Sequence, residues 1–228
     1  MYKRQALHGR TLTDELQALA RELGARGTRA VALAADLAKE SEVATLVPRA
    51  REALGPLGGL VNNASVFEYD SLESATRASW DLHLETNLRA PFTLIQSFAR
   101  QVPADGHGAV VNLIDQRVWS LTPHFVTYTV SKAGLWTLTQ TLALALAPRI
   151  RVNAIGPGPT LKSTHQTDAQ FQAQVDSMPL RRGTSPDEIA AAVRFLFHAP
   201  AMTGQMLALD GGQHLGWAQS SDNGGPKD

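Results

Sequence analysis

The chain has 228 residues, 43% of them hydrophobic and 18% charged, a balance that suits one globular domain with a sizeable core and excludes a disordered or fibrous chain. Lys plus Arg and Asp plus Glu each number 21, so no basic field draws nucleic acid or anionic lipid, and a small-molecule substrate is the expected partner. The absence of cysteine excludes a disulfide framework, a thiolate zinc site and a cysteine nucleophile. No stretch approaches the roughly 20 apolar residues of a membrane helix, and no apolar signal segment follows Met1 to Gln5; no membrane association and a cytoplasmic location are expected.

In chain order, Ala6 to His8 reads as the tail of a strand that ends in Gly9-Arg10-Thr11. Residues 12 to 24 place Leu12, Leu16, Leu19, Ala20 and Leu23 on one helical face, led in by Thr11 to Asp14. Short apolar runs at 30 to 35, 59 to 64, 108 to 114, 149 to 155 and 204 to 209 read as buried parallel strands. Helical periodicity separates them at 41 to 54, 75 to 103, 125 to 147 and 186 to 198, the last opened by Thr184-Ser185-Pro186-Asp187-Glu188. This alternation predicts a doubly wound α/β parallel sheet with helices on both faces. Without repeat or linker, residues 1–217 form one expected domain, and 218–228, rich in Ser, Asn, Gly and Pro, a frayed tail.

Tyr128 and Lys132 lie four apart in a helical segment and so share one face. A phenol beside an ammonium can pass a proton to a carbonyl or imine, although the spacing also fits a plain surface pair. Asp115 ends the run Val110 to Ile114, 13 residues before Tyr128, where α/β sheets build their sites; a solvated turn aspartate is the other reading. Asn62-Asn63-Ala64-Ser65 likewise closes a strand with small and amide residues suited to close ligand approach or to a turn. Asn87 sits in a helical stretch where its propensity is poor, a hint of a role or of an irregular helix. Gly156-Pro157-Gly158-Pro159 forces a tight exit at the same sheet edge. Arg10 and Thr11, before a helix N-terminus, suit a phosphate, or Arg10 is an ordinary surface arginine.

Jointly, Asn62-Asn63-Ala64, Asn87, Tyr128-x-x-x-Lys132, Arg151-Val152-Asn153 before Pro157-Gly158, and Asp210-Gly211-Gly212 resemble the short-chain dehydrogenase/reductase family from about Ala6 to Trp217. The resemblance implies a Rossmann-like fold and a nicotinamide cofactor. Asp115, where most members carry serine, and Asn63-Ala64-Ser65-Val66-Phe67 are similar to the pteridine reductase branch. By that resemblance Phe67 stacks on a flat pterin ring, Arg10 and Thr11 hold the 2′-phosphate of NADPH, and Asp36-Leu37 meets the adenine. Asn63, Ala64, Ser65, Pro157 and Gly158 also line the cofactor, while Lys132 holds its ribose and lowers the pKa of Tyr128. Asp115 and Tyr128 contact the substrate and Asn87 anchors a relay water. Residues 160–185, with Thr160, His165, Phe171 and Met178, fall at the family's mobile substrate loop. A homo-oligomer, tetramer or dimer, through 75–103 and 125–147 is implied too, although Leu135, Leu138, Leu142 and Leu146 also read as ordinary core.

The family's opening strand, glycine-rich turn and helix are not found in this sequence, which points to an N-terminal truncation with Met1 to Gln5 foreign to the domain. In the strand order 3-2-1-4-5-6 the missing strand is central, so two interior edges are expected to stand unpaired beside an uncovered apolar face. The expected activity is NADPH-dependent reduction of a pterin-like or related conjugated C=N or C=O substrate. The alternatives are a reductase of 3-oxoacyl or other small carbonyl substrates, and a non-catalytic nucleotide-sensing or interaction protein on the same fold.

Overall fold

The computed structural model describes residues 4–164 and 166–216. Its strands are β1 (Arg4–Gly9), β2 (Arg29–Ala34), β3 (Gly59–Asn62), β4 (Gly108–Leu113), β5 (Ile150–Pro157) and β6 (Met206–Leu209), and every pairing is parallel. The helices between them are α1 (Asp14–Ala25), α2 (Glu40–Leu54), α3 (Arg77–Leu84), α4 (Ala90–Gln101), α5 (Val126–Leu146), α6 (Asp168–Asp176) and α7 (Pro186–His198). Parallel strands covered on both faces need apolar side chains at successive positions, and β4 is buried at all of its residues. Pleating sorts them. Val110 and Val152 pack with Ile95 and Phe98 of α4 and Ala143 of α5, whereas Val111, Leu113 and Ile155 pack on the opposite face with Leu196 of α7.

The pairings do not form one sheet. β1 pairs with β2, and β3 to β6 form a separate four-stranded sheet in the order β3-β4-β5-β6. Between them lies an open slot of about 1250 Å³, lined by the backbone run Arg4 to His8 on one side and Gly59 to Ala64 on the other. Leu46, Val47 and Leu94 wall one face of the slot, and Val193 and Phe197 of α7 contribute to its lining. The two halves are bridged by α2 and α4, whose Val43, Leu46, Val47, Ala90 and Leu94 cluster with Ala35 and touch Leu33 and Leu60. The expectation of two unpaired interior edges is met among the described residues.

Several boundaries differ from the sequence reading. Arg4 and Gln5 belong to β1, and Arg4 Nη1 donates to Leu54 O at 2.7 Å, so these two residues are integral to the fold rather than foreign to it. The helical pattern at 75–103 divides at a π-helical turn, Glu85–Arg89, that carries Asn87. β5 runs through Pro157, beyond the expected end at 155, and β6 begins at Met206 rather than 204. The stretch 160–185 holds α6, opened by a capping box in which Thr167 and Gln170 bond reciprocally. Leu135 is buried, and Leu138, Leu142 and Leu146 pack against the core, which is their ordinary reading. His165, Trp217 and the expected tail from 218 lie outside the described residues.

Candidate active site

Within each sheet the parallel strands end at the same edge, and the turns that follow them carry the residues singled out in the sequence. Asp115 follows β4, and Tyr128 and Lys132 project from the first turns of α5. The Tyr128 hydroxyl donates to Asp115 Oδ2 at 3.0 Å, and Asp115 Oδ1 accepts the Arg117 N–H at 2.8 Å, so both carboxylate oxygens are engaged. Lys132 is 3% exposed, and its Nζ donates to Leu113 O at 2.9 Å. Burial brings the Lys132 ammonium down to about 8, with Asp115 opposing.

The expectation that Lys132 lowers the pKa of Tyr128 is not met in this structure. Burial first, and then the charge and hydrogen bond of Asp115, push the phenol well above its ordinary range, while Arg117 pulls it the other way. The physical reason is the position of the ammonium: it lies 5.8 Å from the ring centroid and spends its bond on a main-chain carbonyl. Tyr128 is therefore a neutral phenol, a proton donor rather than a phenolate.

Asn87 is 1% exposed. Its Oδ1 accepts the Val66 N–H at 2.8 Å and the Ser65 hydroxyl at 3.1 Å, and its Nδ2 donates to Val66 O at 2.9 Å and to Ser131 Oγ at 3.1 Å. Both ends of the amide are committed to protein, so in this structure Asn87 ties the segment after β3 to α5 instead of presenting itself to a relay water. The π-helical turn aims it there, and such turns often mark functional positions.

Phe67 meets the Tyr128 ring edge-on at 4.7 Å between centroids. One of its faces lies flat on Phe125 at 4.3 Å and is closed to a flat ligand there. Phe125 has φ 57°, left-handed backbone that costs a non-glycine residue roughly 1–2 kcal/mol, and the Arg117 guanidinium lies 5.2 Å over its ring. Sequence reasoning missed Arg117, Phe125 and Ser131. The closeness of Arg117 to Asp115 was the one available signal.

At the two-stranded sheet, Arg10 Nη2 pairs with Asp36 Oδ2 at 3.2 Å. Asp36 also accepts the Ala38 N–H, which does most to hold its carboxyl below the ordinary value, with Arg10 adding to it. Thr11 is exposed beside Arg10. Leu37, Asn63 and Ala64 line the slot end, and Ser65 follows, bonded to Asn87. Gly158 donates its N–H to Leu209 O, and a Cβ there would meet Asp210 Cα at 2.8 Å, which accounts for glycine. Asn62 Nδ2 donates to Asn112 Oδ1 at 2.8 Å, and Asn62 Oδ1 is buried without a partner among the described residues. Residues on both sides of the slot thus suit the two ends of a dinucleotide, while among the described residues no glycine-rich turn stands between β1 and β3 to hold a pyrophosphate.

Fold and site together define an α/β enzyme with a phenol, a carboxylate and an ammonium gathered at the carboxyl ends of parallel strands. The family model described as Enoyl-(Acyl carrier protein) reductase matches residues 6–214. The 3-oxoacyl-(acyl-carrier-protein) reductase FabG of Staphylococcus epidermidis is 31% identical over 207 residues, spanning 89% of this chain and 85% of its own. Among solved structures, FolM Alternative dihydrofolate reductase 1 from Brucella canis, complexed with NADP, is 46% identical at TM-score 0.90, covering 94% of this chain and 85% of that one. A blue fluorescent protein from a metagenomic library, in complex with NADPH, is 32% identical at TM-score 0.84, covering 91% and 86%. The chain belongs to the short-chain dehydrogenase/reductase family and is an oxidoreductase of that family.

Proposed function

We propose that the protein is an NADPH-dependent reductase of a pterin-like or related conjugated C=N or C=O substrate. The observation that carries this reading is the Tyr128–Asp115 hydrogen bond at 3.0 Å beside the Phe67 ring, a proton donor and a carboxylate next to an aromatic surface. A likeness of 46% identity to a dihydrofolate reductase complexed with NADP supports it. When bound, NADPH supplies the hydride; Arg10, Thr11, Asp36 and Leu37 on one side of the slot, and Asn63, Ala64, Ser65, Pro157 and Gly158 on the other, would hold it. Tyr128 donates its proton to the substrate nitrogen or oxygen, which Asp115 orients, solvent returns a proton to the tyrosine, and Lys132 would hold the ribose end of the cofactor. The buried acceptor Asn62 Oδ1, unfilled among the described residues, fits a hydroxyl or N–H donor. A cytoplasmic homo-oligomer belongs to the same reading, and the exposed Val130 and Leu144 on α5 support an association face.

The test is Tyr128→Phe, expected to abolish turnover while NADPH affinity, read by fluorescence titration, stays within about twofold; general acid catalysis of this kind is worth about 10² to 10⁴ in rate. Unchanged turnover overturns the assignment. The FabG likeness favours a second reading, reduction of a 3-oxoacyl or other small carbonyl substrate. Asp115→Ser separates the two: the proposal expects a larger loss with a dihydropterin than with a simple ketone, and equal losses favour the second reading. A folded chain that binds no NADPH would favour a non-catalytic protein.

A further inference from the structure

Behind Tyr128 lies a buried polar chain that no step above uses. His83 of α3 is fully buried, Thr127 is fully buried beside Tyr128, and Asp70 is 2% exposed. The Glu68 N–H donates to His83 Nε2 at 3.1 Å, so that nitrogen carries the lone pair and the ring proton sits on Nδ1. Nδ1 faces Thr127 Oγ1 at 2.7 Å and Ser79 O at 3.0 Å. The Thr127 hydroxyl in turn donates to Asp70 Oδ2, and the Thr127 N–H donates to Asp70 Oδ1 at 3.2 Å. Asp70 O accepts the Phe125 N–H at 2.8 Å. The chain therefore joins three pieces that do not adjoin in sequence: α3, the segment 66–70 that carries Phe67, and the start of α5 that carries Tyr128.

We infer that His83, in its neutral Nδ1–H form, is a positioning residue that fixes Phe67 and Tyr128 relative to one another and so sets the angle and height at which the Phe67 ring stands against the reacting phenol. Burial is matched to this task. Each of the three side chains finds a partner inside, and removing the ring would leave the Glu68 N–H and the Thr127 hydroxyl to rearrange. The charged and titratable groups facing the imidazole are Asp70, Glu68 and the Tyr128 ring, the last edge-on at 6.0 Å between centroids. Burial lowers His83 below its usual 6.5, against the Ser79 carbonyl and the charges of Asp70 and Glu68, so the neutral ring is favoured on folding. Its contribution is complete above about pH 6.5 and is lost as the pH falls, because a second ring N–H would point at the Glu68 N–H.

Hydrogen exchange read by mass spectrometry tests this without relying on activity. At pH 7, His83→Phe is expected to speed exchange across 66–70 by about tenfold, the weight of one buried hydrogen bond, while β4 exchanges as in the wild type. His83→Gln, whose amide can accept from Glu68 and donate to Thr127, is expected to restore protection. As the pH falls from 7.5 to 5, intrinsic exchange being corrected for, the wild type loses protection at 66–70 and His83→Gln keeps it. Unchanged exchange in His83→Phe, or the same pH response in wild type and His83→Gln, overturns the inference. Its catalytic arm rests on the pterin-like reading: His83→Phe raises KM for a dihydropterin about tenfold, with kcat and the KM for an acyclic ketone nearly unchanged. A wild type inactive on the dihydropterin but showing the exchange pattern refutes that reading and leaves the positioning role standing; equal losses on both substrates overturn the role.

Discussion

The strands fall into two unequal sheets, one on either side of the slot. In β3 to β6 the interior strands are paired on both edges and covered on both faces, and Val110, Val152 and Ile155 have no exposed surface. In the β1–β2 half no residue of either strand is buried, and α1 has no buried residue although its apolar positions repeat at helical spacing. The two halves use similar side chains: β2 is Arg-Ala-Val-Ala-Leu-Ala and β4 is Gly-Ala-Val-Val-Asn-Leu. What separates them is the number of neighbours, since a strand is desolvated by what flanks it as much as by its own composition.

The largest expected effect of that contrast is on mutational cost. Phe98→Ala, in the middle of the complete half, is expected to cost about 3–5 kcal/mol in urea unfolding, whereas Leu19→Ala in α1, at 44% exposure, is expected to cost under about 1 kcal/mol. Equal losses would mean that the halves are equally buried in solution. A step smaller, amides of β1 and β2 are expected to exchange at least about 100-fold faster than those of β4 and β5, and uniform protection would show one cooperative unit. The smallest effect concerns the site within the complete half. Lys132, brought down to about 8, loses its ammonium as the pH rises, so kcat/KM is expected to fall about tenfold between pH 7 and 9. Stability moves the opposite way: above pH 8 the unfolded chain holds a proton that the folded one has released, so this group adds stability as the pH rises towards 10.5. A flat rate profile over that range would remove Lys132 from the ionisations that matter.

What could be read from the sequence follows the same division. The strands of the complete half announce themselves as apolar runs, and α7 runs from 186 to 198 as its Ser185 cap and Pro186 foretell. The Tyr128–Asp115 bond links two residues already singled out. By contrast, α6 offers Ala169, Phe171, Ala173 and Val175 at a two-residue period, which hides the helix, although Thr167 and Gln170 spell its capping box. The division of 75–103 leaves no trace in periodicity beyond an unfavoured Asn87, because a π-helical turn adds one residue without interrupting the helix. The His83–Thr127–Asp70 chain spans 57 positions and is set by tertiary approach alone. Arg10 and Asp36, each read as a cofactor contact, were not expected to meet one another.

The slot between β1 and β3 also governs how the protein behaves in a crowd of its own kind. Each of its edges is a row of main-chain donors and acceptors without a strand partner among the described residues, and such rows recruit strands from other molecules. Above a threshold concentration the chain is therefore prone to join edge to edge. Light scattering should grow with concentration, and a proline at Ala6, which alternates with the β2-bonded Gly9 and so turns its N–H to the open edge of β1, should suppress it.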